Sequence, residues 1–245
     1  MKKNYRVIKI GGSVLNSDDA VGRIIKCLKP KLIPGESLLV HGGGSDITYW
    51  LGRLGVKAEF IDGQRVTDDD TMNVVEMVLS GLMNKKLVNM LRKESLRAAG
   101  VSGRDSSLAK AEVIDPRLGR VGKVVQTDPS LLISIMAGGI IPVVSPVSEG
   151  ADGGALNVNA DFFAAALASS LKASEFNLVT DSGGVIKDGE FIRNLSCGDI
   201  PELIRVGVAK DGMIPKLQAA ILAATGGVAK VNILDYEGNE GTCIV

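Results

Sequence analysis

The chain has 245 residues, 45% of them hydrophobic, which is long enough to bury a substantial core in one large α/β domain or in two lobes. Its 28 lysines and arginines equal its 28 aspartates and glutamates, so no basic surface indicates binding to nucleic acid or to an anionic membrane. We therefore expect a small ligand. No apolar run is long enough to span a membrane and no secretory leader is apparent, which predicts a cytoplasmic protein.

The three cysteines are odd in number and lack the spacing of a metal site. They are Cys27, Cys197 and Cys243. This usage fits a reducing compartment, and we expect buried, inert thiols.

Short β-branched runs alternate with helical stretches along the chain, a pattern typical of a mostly parallel sheet covered by helices on both faces. The first strand begins at Val7 and ends in Gly11-Gly12, and Asp18 or Asp19 is expected to cap the helix that follows. The second buried strand ends at His41, before three glycines. Residues 56–60 predict a short edge strand.

A long helix is expected to begin after Thr67 or Asp68 and to end near Leu96, because apolar residues recur there at helical spacing. A helix of this length is either a dimer interface or a core helix of a large domain, and the pattern leaves both open.

The second half of the chain continues the same alternation. We predict, in order, a β-ribbon at 119–126, a helix at 129–137, a strand at 140–144, a polar glycine-rich loop at 148–154, a helix to about 171, a strand at 176–180, a helix near 200–206, a helix opened by residues 211–216, and strands near 230–234 and 242–245. A lobe boundary is expected near 172–175, which gives an N-terminal lobe of residues 1–172 and a C-terminal lobe of residues 173–245.

Lys9 stands out because it lies inside a strand whose composition indicates burial, where an ammonium group is costly unless an anion is near. Gly11 and Gly12 allow a ligand to approach the backbone closely. Glycines also follow the strands that end at His41 and before Asp181, and such ends meet at one edge of a parallel sheet. This predicts a phosphate site, although neither a P-loop nor a dinucleotide fingerprint is present.

Two further charged residues are candidates for that site. Lys216 opens a helix, where a cation is unfavourable unless an anion is shared with the helix N-terminus. Asp161 lies at the start of another helix and is suited to hold Lys9 and Lys216 in position. Each residue also has an ordinary interpretation, as a solvated first-turn lysine and as an N-terminal acidic residue.

Arg65 and His41 each have a functional and an ordinary interpretation. The planar guanidinium of Arg65 suits bidentate binding of a substrate carboxylate, but the segment fits a surface arginine equally well. His41, the only histidine, ends a buried strand, so we expect it to be packed and hydrogen bonded rather than catalytic. No cluster of histidines or cysteines suggests a transition-metal site.

Six ordered blocks resemble the amino acid kinase superfamily and, within it, the acetylglutamate kinases of arginine biosynthesis. These blocks are VIKIGGSVL (7–15), LVHGGGSDI (39–47), GQRVTDDDTMNVVEMVLSG (63–81), GALNVNADFFAAALA (154–168), LVTDSGGV (178–185) and DGMIPKLQAA (211–220). The resemblance implies an α/β fold, a three-layer αβα sandwich with an open, mostly parallel central sheet. It also implies acetylglutamate in the N-terminal lobe, ATP with Mg²⁺ in the C-terminal lobe, and a homodimer formed through the N-terminal lobe.

The resemblance further implies roles for individual residues. Lys9 and Lys216 match the lysines that stabilise the transition state, and Asp161 matches the aspartate that organises them. The residues that match acetylglutamate contacts, or lie beside them, are Gly43, Gly44, Arg65, Asn157 and Asn159. Those that match nucleotide contacts are Gly11, Gly12, Asp181, Ser182, Gly183, Gly184, Val185 and Ile186, with Val208 to Lys210 as an addition. No protein ligand for a metal is expected, since Mg²⁺ is held mainly by the ATP phosphates.

The implied reaction needs no general base, because the attacking γ-carboxylate is already ionised at neutral pH. Two other readings remain open: a kinase for carrier-protein-bound aminoadipate in lysine biosynthesis, and a non-catalytic amino acid or nucleotide sensor on the same fold. The segment before the final Gly-Thr is shorter than is usual for the family. The N-terminal extension of arginine-inhibited members is absent from the sequence, so the expected dimer is insensitive to arginine.

Overall fold

The computed structural model describes residues 4–15, 17–237 and 239–245, and these residues form a three-layer αβα sandwich. Its helices are α1 (Asp18–Leu28), α2 (Gly44–Arg53), α3 (Asp69–Glu76), α4 (Asn84–Lys93), α5 (Ser130–Ala137), α6 (Ala160–Ser170), α7 (Ile200–Arg205) and α8 (Met213–Thr225). A π-helical segment, Met77–Met83, joins α3 to α4. The predicted fold class is confirmed.

The strands follow the same numbering in chain order. They are β1 (Arg6–Ile10), β2 (Ser37–His41), β3 (Phe60–Ile61), β4 (Gln64–Arg65), β5 (Ala98–Ser102), β6 (Ala109–Val113), β7 (Val121–Thr127), β8 (Ile141–Ser145), β9 (Val147–Gly150), β10 (Ala155–Val158), β11 (Glu175–Val179), β12 (Ile186–Lys187), β13 (Glu190–Phe191), β14 (Asn194–Leu195), β15 (Val231–Leu234) and β16 (Glu240–Ile244).

Eight strands form the central sheet in the order β14-β16-β15-β11-β1-β2-β8-β5. All neighbours are parallel except β15 and β16. β1 lies in the middle, with Lys9 opposite Leu178 of β11 on one side and Val40 of β2 on the other. The first strand of the chain therefore connects the two halves of the sheet.

Two hydrophobic clusters cover the two faces of this sheet, as the period of two along each strand requires. Val7 packs into the cluster formed with α5, α6, α7 and α8, whereas Ile8 and Ile10 pack into the cluster formed with α1 to α4. Lys9 shares the face of Val7, which is the face covered by α6. The alternation thus directs Lys9 toward the start of α6, where Asp161 lies.

Strands β6, β7, β9 and β10 close into a small barrel beside the sheet, and two hairpins, β3-β4 and β12-β13, complete the β structure. The loop predicted at 148–154 is shorter in the structure, because residues 148–150 belong to β9 and only 151–154 form the turn to the antiparallel β10. The edge strand predicted at 56–60 is also wrong, since only Phe60 of that range is in a strand. The pattern did not indicate β5, β6, β12, β13 or β14.

Side-chain caps begin two of the helices. Asp68 caps α3 as expected, with its carboxylate accepting from Thr71 N at 2.8 Å, and the helical run ends at Lys93. Ser17, not Asp18 or Asp19, caps α1. The extended backbone of Ser17 aims its hydroxyl oxygen at Ala20 N, 3.1 Å away.

The expected burial of the cysteines is wrong. Cys27 is exposed, and Cys197 and Cys243 are partly exposed. On α1, Ile24, Ile25 and Leu28 occupy the side that faces the sheet, so the helical period leaves Cys27 on the outer side. None of the described helices is long and apolar enough to cross a membrane.

Candidate active site

The glycine-rich ends of β1 and β2 are packed directly against each other. A Cβ atom added to Gly12 would lie 2.9 Å from Gly43 N and 3.1 Å from Gly44 N, so only glycine fits without displacing backbone. The backbone N–H of Gly11 donates to Val179 O at 3.1 Å, which extends the sheet by one residue. The expected convergence of the strand ends is confirmed, although the N–H of Gly11 is already engaged and is not free for a ligand.

Lys9, Asp161 and Lys216 meet beside these glycines. Lys9 Nζ lies 2.6 Å from Asp161 Oδ1, an ion pair by distance although its angles fall outside those of a hydrogen bond. Lys216 Nζ lies 3.8 Å from Asp161 Oδ2. Lys9 and Asp161 are each 4% exposed. One buried carboxylate therefore holds two ammonium groups, as the sequence predicted, and the ordinary surface interpretations of Lys216 and Asp161 do not describe their positions.

The net charge of this triad is positive, which suits an anionic ligand. Lys216 Nζ also donates to Gly212 O at 3.0 Å, within the first turn of α8. Burial lowers the pKa of the Lys216 ammonium, while Asp161 opposes that effect and Lys9 adds to it. The negative charge of a phosphoryl group placed between the lysines would offset both the desolvation cost of the Lys216 ammonium and its repulsion by Lys9.

A cleft of about 520 Å³ opens next to Lys216, beyond the carboxyl end of β11. Its lining includes Lys216 and most of the predicted nucleotide contacts. These are Asp181, Ser182, Gly184, Val185, Ile186 and Lys210. Gly183, in the same segment, is buried and has a φ of +71°, a backbone conformation that favours glycine. Another cleft, of about 430 Å³, lies at the α4–β5 connection and contains none of the predicted site residues.

Arg65 contacts the glycine-rich segment that follows β2 and is only 9% exposed. Its Nη2 donates to Gly44 O at 3.1 Å and to Thr48 Oγ1 at 2.8 Å. Its Nη1 is buried without a hydrogen-bond partner. Burial lowers the pKa of the Arg65 guanidinium. Within the described ranges no carboxylate pairs with Arg65, so this buried cation has a free donor for an anionic ligand.

Asn157 is linked to Arg65 through the side chain of Thr67. Its Nδ2 donates to Thr67 Oγ1 at 3.3 Å, and the Thr67 hydroxyl donates to the Arg65 carbonyl at 2.9 Å. Asn159 is exposed, and its side chain caps α6 by accepting from Asp161 N at 2.8 Å. The structure thus groups Asn157 with Arg65, whereas the observed contact of Asn159 positions Asp161.

Gly43 caps α2 and lies against the π-helical segment. A Cβ atom on Gly43 would approach Leu79 Cδ2 to 2.8 Å. Nothing lies within 4 Å of a Cβ atom on Gly44, so its surroundings are open. Leu79 of the π-helical segment therefore packs directly against the backbone of the glycine-rich turn.

His41 is fully buried, as expected. Its Nδ1 lies 3.0 Å from Gly42 O and its Nε2 lies 3.3 Å from Asn84 Nδ2. Both contacts are satisfied when Nδ1 carries the proton. Burial lowers the pKa of His41 to about 4, and the nearby charges of Lys85 and Lys9 act in the same direction, so the ring is neutral at pH 7.

Sequence reasoning missed Thr48 and Phe60. Thr48 lies one helical turn after Gly44, and Phe60 is the cross-strand partner of Arg65 on the β3-β4 hairpin. The Asp62-Gly63 pair between two short polar-apolar runs was a hairpin signal that would have placed Phe60 opposite Arg65. In the described ranges no group of three or more His, Cys, Asp or Glu side chains is arranged to hold a metal ion.

A family model for the amino acid kinase family matches residues 4–235 of this chain. The chain belongs to the amino acid kinase family. Among relatives, the acetylglutamate kinase of Kosmotoga olearia is 41% identical over 232 residues, which cover 94% of this chain and 82% of that protein. The acetylglutamate kinase of Cereibacter sphaeroides is 42% identical over 233 residues, covering 94% of this chain and 79% of that protein.

The amino acid kinase fold also appears in the structural comparison. The solved structure of smu.665 from Streptococcus mutans has a TM-score of 0.86 and 29% identity, and the match covers 100% of this chain and 99% of that one. The family resemblance indicated by the six sequence blocks is therefore confirmed, and the chain is a kinase of this family.

Proposed function

We propose that this chain transfers the γ-phosphoryl group of ATP to the γ-carboxylate of N-acetyl-L-glutamate, giving N-acetyl-L-glutamyl 5-phosphate and ADP, the second step of arginine biosynthesis. The observation that carries the proposal is the Lys9–Asp161–Lys216 triad, which adjoins the cleft through Lys216, together with the buried Arg65 on the glycine-rich end of β2, which pairs with no carboxylate among the described residues. Relatives at about 40% identity that are named acetylglutamate kinases favour this substrate. No observation favours carrier-bound aminoadipate or a non-catalytic sensor.

Arg65 and Asn157 bind the amino acid substrate in this proposal, with Gly43, Gly44 and Asn159 beside them. Arg65 Nη1 donates to the carboxylate that does not react, which leaves the γ-carboxylate directed toward the two lysines. A glutamate side chain titrates near 4.3, so the nucleophile is ionised at neutral pH and no base removes a proton from it. This explains why a neutral, buried His41 is compatible with catalysis.

ATP occupies the cleft next to Lys216, whose lining includes Asp181, Ser182 and Lys210, with its γ-phosphoryl group between Lys9 and Lys216. The lysines neutralise charge that develops on the transferring group, and Asp161 keeps both ammonium groups fixed before the substrates arrive. When bound with the nucleotide phosphates, Mg²⁺ would add to the charge neutralisation that the two lysines provide. Gly11 and Gly12 leave room for the phosphates by carrying no side chains.

In this proposal each lobe binds one of the two substrates. Residues 1–172 bind acetylglutamate and form the homodimer, and residues 173–245 bind ATP. Asp161 of the first lobe pairs with Lys216 of the second, so the reacting groups lie where the lobes meet. We place the enzyme in the cytoplasm with other biosynthetic enzymes.

A turnover assay tests the proposal. The purified chain with ATP, Mg²⁺ and N-acetyl-L-glutamate should release ADP and form an acyl phosphate that hydroxylamine traps as a hydroxamate. Carrier-bound aminoadipate serves as the competing substrate. Turnover with that substrate alone would identify the lysine-pathway activity, and binding of both substrates without ADP release would identify a sensor.

The Arg65→Ala variant tests the amino acid site. Because a hydrogen bond to a charged group contributes about 1.5–3 kcal/mol, KM for acetylglutamate should rise roughly 10- to 100-fold while KM for ATP stays unchanged. Arg53→Ala is the matched control, since Arg53 lies at the end of α2 and its Nη1 contacts the exposed Tyr49 hydroxyl. A change in KM for ATP with no change in KM for acetylglutamate would contradict the assignment.

A further inference from the structure

Phe60 is a half-exposed aromatic residue whose ring covers the face of the Arg65 guanidinium. Phe60 is 53% exposed, and Arg65 Cζ lies 4.7 Å from the centroid of its ring. The two residues are opposite each other on β3 and β4. The turn between the strands has φ values of +49° at Asp62 and +76° at Gly63, so the hairpin is tight and the pairing is fixed by the backbone.

The guanidinium is restrained from two directions. Hydrogen bonds from Nη2 to Gly44 O and Thr48 Oγ1 hold one edge in the plane, and the Phe60 ring covers one face. Among the residues that the structure describes, none is a hydrogen-bond partner of Nη1, although this atom is buried. A planar donor held in this way loses little conformational freedom when a carboxylate binds to its remaining edge.

We propose that Phe60 is a positioning residue that raises the affinity of the site for the carboxylate of the amino acid substrate by covering and orienting Arg65. The inference rests on the proposed function, in which Arg65 binds that carboxylate. A cation–π contact is attractive in its own right, and covering the guanidinium also removes water that would otherwise compete with the substrate. The ring touches no reacting group, so its effect should be limited to binding of one substrate.

Substitution of Phe60 separates this role from a structural one. Phe60→Leu keeps an apolar side chain but removes the π face, and it should raise KM for acetylglutamate about 3- to 30-fold, with kcat and KM for ATP unchanged. Phe60→Tyr and Phe60→Trp should restore KM to within about twofold of wild type, because both keep an aromatic face. A residue that only supported the hairpin would change the melting temperature and both KM values together.

Tyr49→Leu is the matched control, since Tyr49 is 55% exposed and Arg53 Cζ lies 6.0 Å from its ring centroid. It removes an arginine–aromatic contact of similar kind at the surface of α2, and KM for acetylglutamate should not change. Calorimetric titration with N-acetyl-L-glutamate checks the affinities without turnover. N-acetyl-L-isoglutamine, which has an amide in place of the α-carboxylate, should bind wild type and Phe60→Leu equally.

The outcomes separate the two proposals. A wild-type protein that does not phosphorylate acetylglutamate refutes the proposed function. A wild-type protein that is active, with Phe60→Leu showing unchanged KM, overturns the inference about Phe60 alone. A raised KM that Tyr and Trp do not restore, or an equal loss of affinity for the amide analogue, also overturns it.

Discussion

Lys9 and Asp161 are a buried ion pair in a place where neither charge could be tolerated alone. Each is 4% exposed, and their charged atoms lie 2.6 Å apart. Removing Asp161 would leave the buried Lys9 ammonium without its counterion, which costs several kcal/mol. Lys216 contacts the same carboxylate at the longer distance of 3.8 Å and so is the more easily redirected toward a ligand.

Lys9→Ala and Lys216→Ala should each lower kcat by roughly 10² or more, by analogy with the removal of one donor to a developing negative charge. Saturating steady-state assays measure kcat, and the melting temperature reports the separate cost to the fold. Lys57→Ala is the control, because the Lys57 side chain is 84% exposed. A variant that retains near wild-type kcat would remove that lysine from the mechanism.

Charge in an apolar context was the signal that identified Lys9, and the start of a helix identified Asp161 and Lys216. Phe60 and Thr48 gave no such signal, since their roles depend on where Arg65 lies in three dimensions. Asn159 shows a different limit: its residue type fits both a ligand contact and a helix cap, and the observed contact is the cap.

The glycine-rich ends of β1 and β2 are in contact at Gly12, where a side chain would push them apart. Gly12→Ala should destabilise the protein by about 1–3 kcal/mol and lower kcat at least tenfold, because the new Cβ atom would lie 2.9 Å from backbone at Gly43. Urea unfolding and steady-state kinetics measure the two effects.

Gly22→Ala is the control for that substitution. Gly22 lies within α1 and nothing lies within 4 Å of an added Cβ atom, so alanine should stabilise the helix by roughly 0.5–1 kcal/mol. Equal stabilities for Gly12→Ala and wild type would show that the two strand ends separate freely.

Long, strongly periodic elements were predictable, and short strands were not. The run from Asp69 to Lys93 carries an unbroken apolar stripe, so its helical nature follows from the sequence, although the π-helical Met77–Met83 has no local signal. Strands of the small barrel such as Val147–Gly150 have too few residues to show an alternation of period two. Their pairing depends on partners distant in the chain.

The stability of the whole molecule should depend on the protonation of its single histidine. His41 has a pKa of about 4 in the fold and 6.5 when unperturbed, so between these values the unfolded chain binds the proton and the fold does not. The contribution is therefore complete above pH 6.5 and is lost as the pH falls toward 4, by about 3 kcal/mol in total.

The NMR resonance of the His41 ring measures this directly, since no other histidine is present. It should not titrate between pH 5 and 8. Urea unfolding at pH 7 and pH 4.5 gives the thermodynamic counterpart, and His41→Gln should show a smaller loss than wild type. A titration midpoint near 6.5 would contradict the burial of a neutral ring.

The position of β1 in the middle of the sheet has a consequence for synthesis of the chain. Tyr5 O accepts from Ser174 Oγ, 169 residues later in the sequence, and β1 pairs with β11 directly after that contact. At about 5–20 residues per second, ribosomes need roughly 10–30 s to make the intervening chain. During that interval β1 has β2 on one side and an unpaired edge on the other, which is the kind of edge that recruits foreign strands. Until β11 has been made, the unpaired edge of β1, the strand that contains Lys9, therefore needs protection from pairing with other chains.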